Sequence, residues 1–128
     1  MSLIKITTLF MVCALFTVSF SNDAHALFRM KTIYNIVDAS LNFSTSDDPS
    51  LADVEEILTK SFEDKGWNVR NRGANKLEAT ILVRERHYAK VDVLFDTVKY
   101  SILYNESDQL LYDGKKIHKN YNNWVKSV

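Results

Sequence analysis

His87 and His118 are the first side chains to test for chemistry. Neither sits in an H-x-x-x-H or similar spacing that would place two imidazoles on one metal, and no cysteine lies near either of them to supply a thiolate. No metal site and no cofactor is expected. His87 reads as a hairpin residue and His118 as a boundary residue of a helix. Hydrolytic motifs are missing as well: the chain contains no G-x-S-x-G elbow and no glycine-rich phosphate loop. Ser101 lies between Tyr100 and Ile102 in a strand pattern, not on a strained turn. Glu78, Asp92 and Asp96 share one sheet region, and two carboxylates held apart in pKa are the remaining route to acid–base work. Carboxylates on a sheet normally form a solvated face, so no catalytic residue is assigned.

Aromatic side chains are dense. Tyr34, Tyr88, Tyr100, Tyr104, Tyr112, Tyr121, Trp67 and Trp124 are expected to fill the core or its edge with polar tips reaching outward. The alternative is a Tyr/Trp-lined cleft between helix and sheet, serving a small enzyme or a ligand-sequestering protein.

Hydrophobic periodicity shows which elements carry these residues. Thr32 to Phe43 reads as one strand. The run STSDDP over residues 44–49 is a loop, with Asp48 placed to cap a helix and Pro49 at its first position. Leu51, Val54, Ile57, Leu58 and Phe62 recur at helical spacing. Gly66 ends that helix, Trp67 to Arg70 is a short strand, and residues 71–75 (NRGAN) form a turn. Leu77, Ala79, Ile81, Val83, Ala89, Val91, Val93 and Phe95 are all odd-numbered, too long a run for one strand. A turn around Glu85, Arg86 and His87 folds it back without changing parity. Val98, Tyr100, Ile102 and Tyr104 are even-numbered, as a two-residue turn at Asp96 and Thr97 requires. A turn over residues 105–108 and a short strand over 109–112 follow. Ile117, Tyr121, Trp124, Val125 and Val128 then mark a helix over 115–128, with Trp124 near the centre of its apolar stripe. The pattern predicts a two-layer α+β domain in the order β-α-β-β-β-β-α, an antiparallel meander with two amphipathic helices packed on it. A cystatin-like wrap of the sheet around the first helix fits that order.

The opposite face of the meander carries the candidate binding residues. The expected cross-strand rows are Glu78–Leu94–Lys99, Thr80–Asp92–Ser101, Leu82–Lys90–Leu103 and Arg84–Tyr88–Asn105. Leu82, Leu94, Leu103 and Tyr88 then point outward among charges. Such a surface offers apolar contacts for affinity, with Arg84, Lys90 and Asp92 for specificity. A second candidate pair, His118 and Asn120, flanks the stripe of the last helix, placed to hydrogen-bond the sheet or neighbouring loops.

The N-terminus reads as an export signal. Lys5 gives the positive start, residues 6–20 are uncharged and mostly apolar, and Ala24-His25-Ala26 ends a short polar segment with small residues where signal peptidase needs them. Cleavage after Ala26 removes Cys13, the one cysteine, and leaves a single domain over 27–128. The apolar run is shorter than the ~20 residues of a membrane-spanning helix, so no transmembrane segment is expected after cleavage. Sixteen basic and sixteen acidic residues balance, and the signal takes one of each. A chain with no basic excess lacks the charge to neutralise phosphates, which argues against nucleic acid as a partner.

Gly66-Trp67, the alternation Arg84/His87/Ala89/Val91, Tyr100-Ser101-Ile102-x-Tyr104, Ser107, Leu110, Tyr112 and above all the block IHKNYNNWV over 117–125 resemble a family of small exported bacterial envelope proteins, many of them lipoproteins, of unestablished function. The resemblance spans residues 66–125. It implies one domain in a bacterial envelope and carries no activity. The chain departs from the lipoprotein members in having no acylatable cysteine. The expectation is a periplasmic or secreted, non-catalytic domain that binds another envelope protein or a small envelope component. A secreted enzyme inhibitor is the further alternative, with the loop at residues 44–49 as its contact.

Overall fold

The computed structural model describes residues 28–44 and 48–128. The expected signal peptide lies outside the described residues, as do residues 45–47 of the loop proposed for inhibitor contact. The elements are β1 (Met30–Thr32), β2 (Ile36–Ser40), α1 (Leu51–Glu63), β3 (Asn68–Gly73), β4 (Lys76–Val83), β5 (His87–Phe95), β6 (Lys99–Asp108), β7 (Lys116–His118) and α2 (Lys119–Lys126). β1 and β7 form a two-stranded antiparallel sheet, and the other five strands form a second sheet in the order β2-β6-β5-β4-β3. The architecture is α+β, two helices on an antiparallel meander. The strands that flank α1 lie at opposite edges, so the chain crosses the whole sheet through the helix.

Helix α1 starts two residues later than its sequence signals. Ser50, rather than Asp48, is the cap: its Oγ accepts from the Asp53 N–H at 3.2 Å, and the Ser50 N–H donates to Asp53 Oδ2 at 2.8 Å. This reciprocal pair satisfies two donors at once, which a lone Asp cap does not. Val54, Leu58 and Phe62, at successive i,i+4 positions, are buried, whereas Leu51 and Ile57 stay exposed, so the apolar stripe is narrower than the sequence implies. The helix packs on β3 and β4. Gly66 takes φ 87° and turns the chain into Trp67, whose ring meets Phe62 edge-on at 5.5 Å.

The meander has the expected faces but a different register. Leu77, Ala79, Ile81, Ala89, Val91, Val93, Phe95 and Ile102 point into the core. The β4–β5 turn is Arg84–Arg86, closed by Val83 opposite His87. The β5–β6 turn lies one residue beyond the expected pair: the Asp96 N–H donates to the Lys99 carbonyl at 3.0 Å, and Asp96 Oδ1 accepts from the Val98 and Lys99 N–H groups at 2.7 and 2.8 Å. Val98 therefore sits exposed on the turn and not in the core. Both shifts move the pairing by two residues, which keeps the side chains of β4, β5 and the first half of β6, up to the bulge at Asn105, on their expected faces. The outward rows are Lys76–Leu94–Ser101, Glu78–Asp92–Leu103, Thr80–Lys90–Glu106 and Leu82–Tyr88–Asp108.

Four features differ from expectation. The single strand over 32–43 is divided: Ile33 to Asn35 separate β1 from β2, and a bulge with Asp38 at φ 50° breaks the β2–β6 register. The turn expected at 105–108 is instead the continuation of β6. A bulge at Asn105 lets Val91 face Tyr104 while Lys90 faces Glu106, so the strand bends without stopping. The expected short strand over 109–112 is a loop, with Leu110 buried and Gln109 and Leu111 both at φ 58°. The last helix is shorter than drawn. Ile117 belongs to β7, and Tyr121, Asn122 and Val125 are the buried helical residues, while Trp124 is only partly buried.

Candidate functional site

The outward face of the five-stranded sheet is the surface on which the sequence placed its binding residues. β4 and β5 alternate strictly, so their even-numbered side chains must leave the core. Glu78 and Asp92 sit directly opposite each other in the middle of this face. Two like charges in that position would repel. Each has a cationic partner: Arg72 Nη2 lies 3.1 Å from Glu78 Oε1, and Lys76 Nζ lies 3.7 Å from Asp92 Oδ1. Asn105 Nδ2 also donates to Asp92 Oδ1 at 3.1 Å. The next row holds Lys90 Nζ 3.0 Å from Glu106 Oε1, and the Tyr88 hydroxyl donates to the same oxygen at 3.2 Å.

These contacts decide what the face can do. The Arg72 hydrogen bond, aided by the fields of Lys90 and Arg70, holds the Glu78 carboxyl below its ordinary range, against a smaller opposing effect of burial. Lys90 does the same for Glu106, and Glu106 raises Lys90 in return. A general acid at neutral pH needs a carboxyl pushed upward. Glu78 is pulled the other way, and Asp96 is lowered by the two turn N–H groups it accepts. Glu78, Asp92 and Glu106 are ion-pair partners, and Asp96 caps a turn.

Of the residues singled out from sequence, Leu82, Tyr88, Lys90, Asp92, Leu94 and Leu103 share this face. Arg84 does not join them: it is an exposed turn residue at φ 54°, beyond the end of the ladder. The leucines do not form a patch. Leu82 is 60 % exposed and Leu94 40 % exposed, but the two charged rows Glu78–Asp92–Leu103 and Thr80–Lys90–Glu106 lie between them. The expected apolar surface is thus a polar ladder with a leucine toward each end.

A recess of about 250 Å³ opens on this face, lined by Arg70, Arg72, Glu78, Thr80, Tyr88 and Lys90. Two of its walls, Arg70 and Arg72, come from β3 and escaped the sequence reading, which ended that strand at Arg70 and put Arg72 in a turn. The alternation Asn68, Arg70, Arg72 at period two was the signal available.

The second candidate pair behaves differently. His118 caps α2: its Nδ1 accepts from the Asn120 N–H at 3.2 Å, so the ring proton sits on Nε2. Burial, then the nearby Arg29, His87 and Lys119, lower its pKa. His87 carries a proton on Nδ1, because that atom bonds the Gln109 carbonyl at 2.9 Å and a carbonyl can only accept. Asn120 is exposed and contributes its backbone to the cap. The polar clamp expected of it belongs to Asn122. Asn122 Oδ1 accepts from the Tyr34 N–H and its Nδ2 donates to the Thr32 carbonyl, both at 2.9 Å.

Tyr104, Tyr112 and Tyr121 pack against one another, whereas Tyr88 lines the recess on the open face. Tyr104 stacks on Tyr112 at 4.3 Å and meets Tyr121 edge-on at 5.6 Å, with its hydroxyl 2.8 Å from Ser107 Oγ. Among the described residues no group of three metal-ligating side chains converges, and no helix is long and apolar enough to cross a membrane.

Fold and surface together define an α+β domain whose sheet is covered on one face and open on the other. No family model matches the chain, and comparison with curated proteins and with solved structures finds no match.

Proposed function

We propose that this is an exported, non-catalytic binding domain of the bacterial envelope, released by cleavage after Ala26, and that it holds another envelope protein against the open face of its sheet. The observation that carries the reading is the ordered ladder on that face: Arg72–Glu78, Lys76–Asp92 and Lys90–Glu106 are spaced across four strands, with exposed Leu82 and Leu94 toward the ends. A charge pattern fixed by a rigid sheet selects its partner by complementarity, and flanking leucines add apolar contact. The directions of the carboxyl pKa shifts and the packing of the tyrosines support binding over catalysis.

The test is a double change, Leu82→Ser with Leu94→Ser, followed by affinity capture from envelope extract and thermal unfolding. Both side chains are exposed, so the variant is expected to melt with the parent chain and to lose a partner that the parent chain captures. Equal capture by the two proteins refutes the reading.

A further inference from the structure

We propose that the recess between β3, β4 and β5 is a receptor for a carboxylate, an acidic side chain presented by the protein partner, with Arg70 as its principal contact. The inference rests on the reading of the open face as a contact surface. Arg70 lies directly opposite Glu78 in the β3–β4 ladder, yet the ion pair to Glu78 is made by Arg72. Lys90 is engaged by Glu106 from outside the recess. Three cations, Arg70, Arg72 and Lys90, thus face two carboxylates, and among the described residues Arg70 is the one left without an ion pair.

The chemistry around Arg70 fits an anionic oxygen ligand. Arg70 and Arg72 lie on an edge strand, Arg70 in the β3–β4 ladder and Arg72 at the bulge that follows it, and both line the recess. A guanidinium presents two parallel N–H groups that match a planar carboxylate. Thr80, opposite Lys90, brings a hydroxyl to the same recess, and the Tyr88 phenol lines it. One unmatched positive charge calls for a singly charged group, which favours a carboxylate over a doubly charged phosphate. Glu78 faces Arg72 and leaves the Arg70 side to the incoming ligand. The edge position of β3 leaves that side open to a partner approaching along the sheet margin.

The test is a titration of the purified protein at constant ionic strength, followed by backbone amide and arginine Nε resonances. The probe is an acetylated Gly-Gly-Glu-Gly-Gly peptide amide, with its Gln counterpart, succinate and inorganic phosphate as comparators. The expected result is saturable shifts at Arg70, Arg72, Thr80 and Lys90 with the Glu peptide, and binding at least tenfold weaker with the Gln peptide. Arg70→Gln is expected to weaken the Glu peptide at least tenfold with no change in melting temperature, and Arg70→Lys to recover part of the loss. Equal binding of the Glu and Gln peptides, or no effect of Arg70→Gln, overturns the proposal. Phosphate binding tenfold tighter than the Glu peptide overturns the carboxylate assignment, and succinate binding tenfold tighter assigns the recess to a free small acid and overturns the partner. The two readings fail separately. Capture that is lost in the leucine variant while the Glu peptide fails to bind removes only the carboxylate site. Peptide binding that depends on Arg70, with capture unaffected by the leucine changes, removes the partner-binding face.

Discussion

Replacing Asn122 by alanine removes a side chain that hydrogen-bonds α2 to Thr32 and Tyr34. Asn122 is 7 % exposed, and both ends of its amide are used, to the Tyr34 N–H and the Thr32 carbonyl at 2.9 Å each. Each such bond contributes about 1 kcal/mol net, and each part-buried backbone group left without a partner adds to the loss. The expected cost is about 2–3 kcal/mol. At roughly 4–8 °C per kcal/mol for a domain near 100 residues, the melting temperature falls by about 10–20 °C. Urea and thermal unfolding followed by circular dichroism read the loss. Amide hydrogen exchange locates it, with Tyr34 losing protection before the β4 and β5 core. Asn122→Asp keeps the acceptor for Tyr34 and loses the donor to Thr32, so it should fall between parent and alanine variant near neutral pH or cost more through the repelled carbonyl. It should not be silent. A loss below about 0.5 kcal/mol for Asn122→Ala would refute the clamp.

Tyr121 carries a hydroxyl that is buried and has no hydrogen-bond partner among the described residues. Tyr121→Phe removes that unsatisfied group, so stability at neutral pH is expected to rise by about 1 kcal/mol or stay level, read by urea unfolding. Burial, with the nearby Tyr104 and Tyr112, pushes this phenol far above its ordinary value of 10.0. The unfolded chain therefore ionises it first, and stability is full below pH 10 and falls as pH rises beyond it. Tyr121→Phe should blunt that alkaline loss, measured as urea midpoint against pH. His118 has the opposite sign. Its pKa is depressed below 6.5 in the folded state, so its contribution is present above that value and is lost as pH falls. Protonation also takes the Nδ1 lone pair from the Asn120 N–H, and an NMR titration should show the Asn120 amide shifting with the imidazole.

Parity made the core of the meander legible, because alternation assigns each side chain to a face. It could not give the register, since a shift of two residues conserves every face. The β4–β5 turn places Arg84 and Glu85 at φ 54° and 55° with no glycine or asparagine to announce it. The bulge within β2 was hidden in the same way, at Asp38, whose residue type does not demand it. Half of the candidate face was readable, because β4 and β5 alternate cleanly. Arg70 and Arg72 were not, because Gly73 and its neighbours look like a turn and β3 runs through them. Asn122 escaped for a different reason: in a helix sequence an asparagine reads as surface, and its burial depends on a strand some ninety residues earlier, the Tyr34–Asn122 separation being 88.

That separation bears on how the chain reaches its fold. β1 pairs with β7, Met30 opposite His118 and Thr32 opposite Lys116, so the first strand described has no mate until nearly all the rest of the domain exists. Closing so long a loop carries an entropic cost before any contact rewards it, and folds dominated by distant pairings assemble slowly. A nascent chain that stops short of Lys116 leaves Met30 to Thr32 unpaired. The hairpins of β4, β5 and β6 close over short turns and are the natural place for structure to begin. Pairing of β1 with β7 must wait until the chain has reached Lys116 to His118.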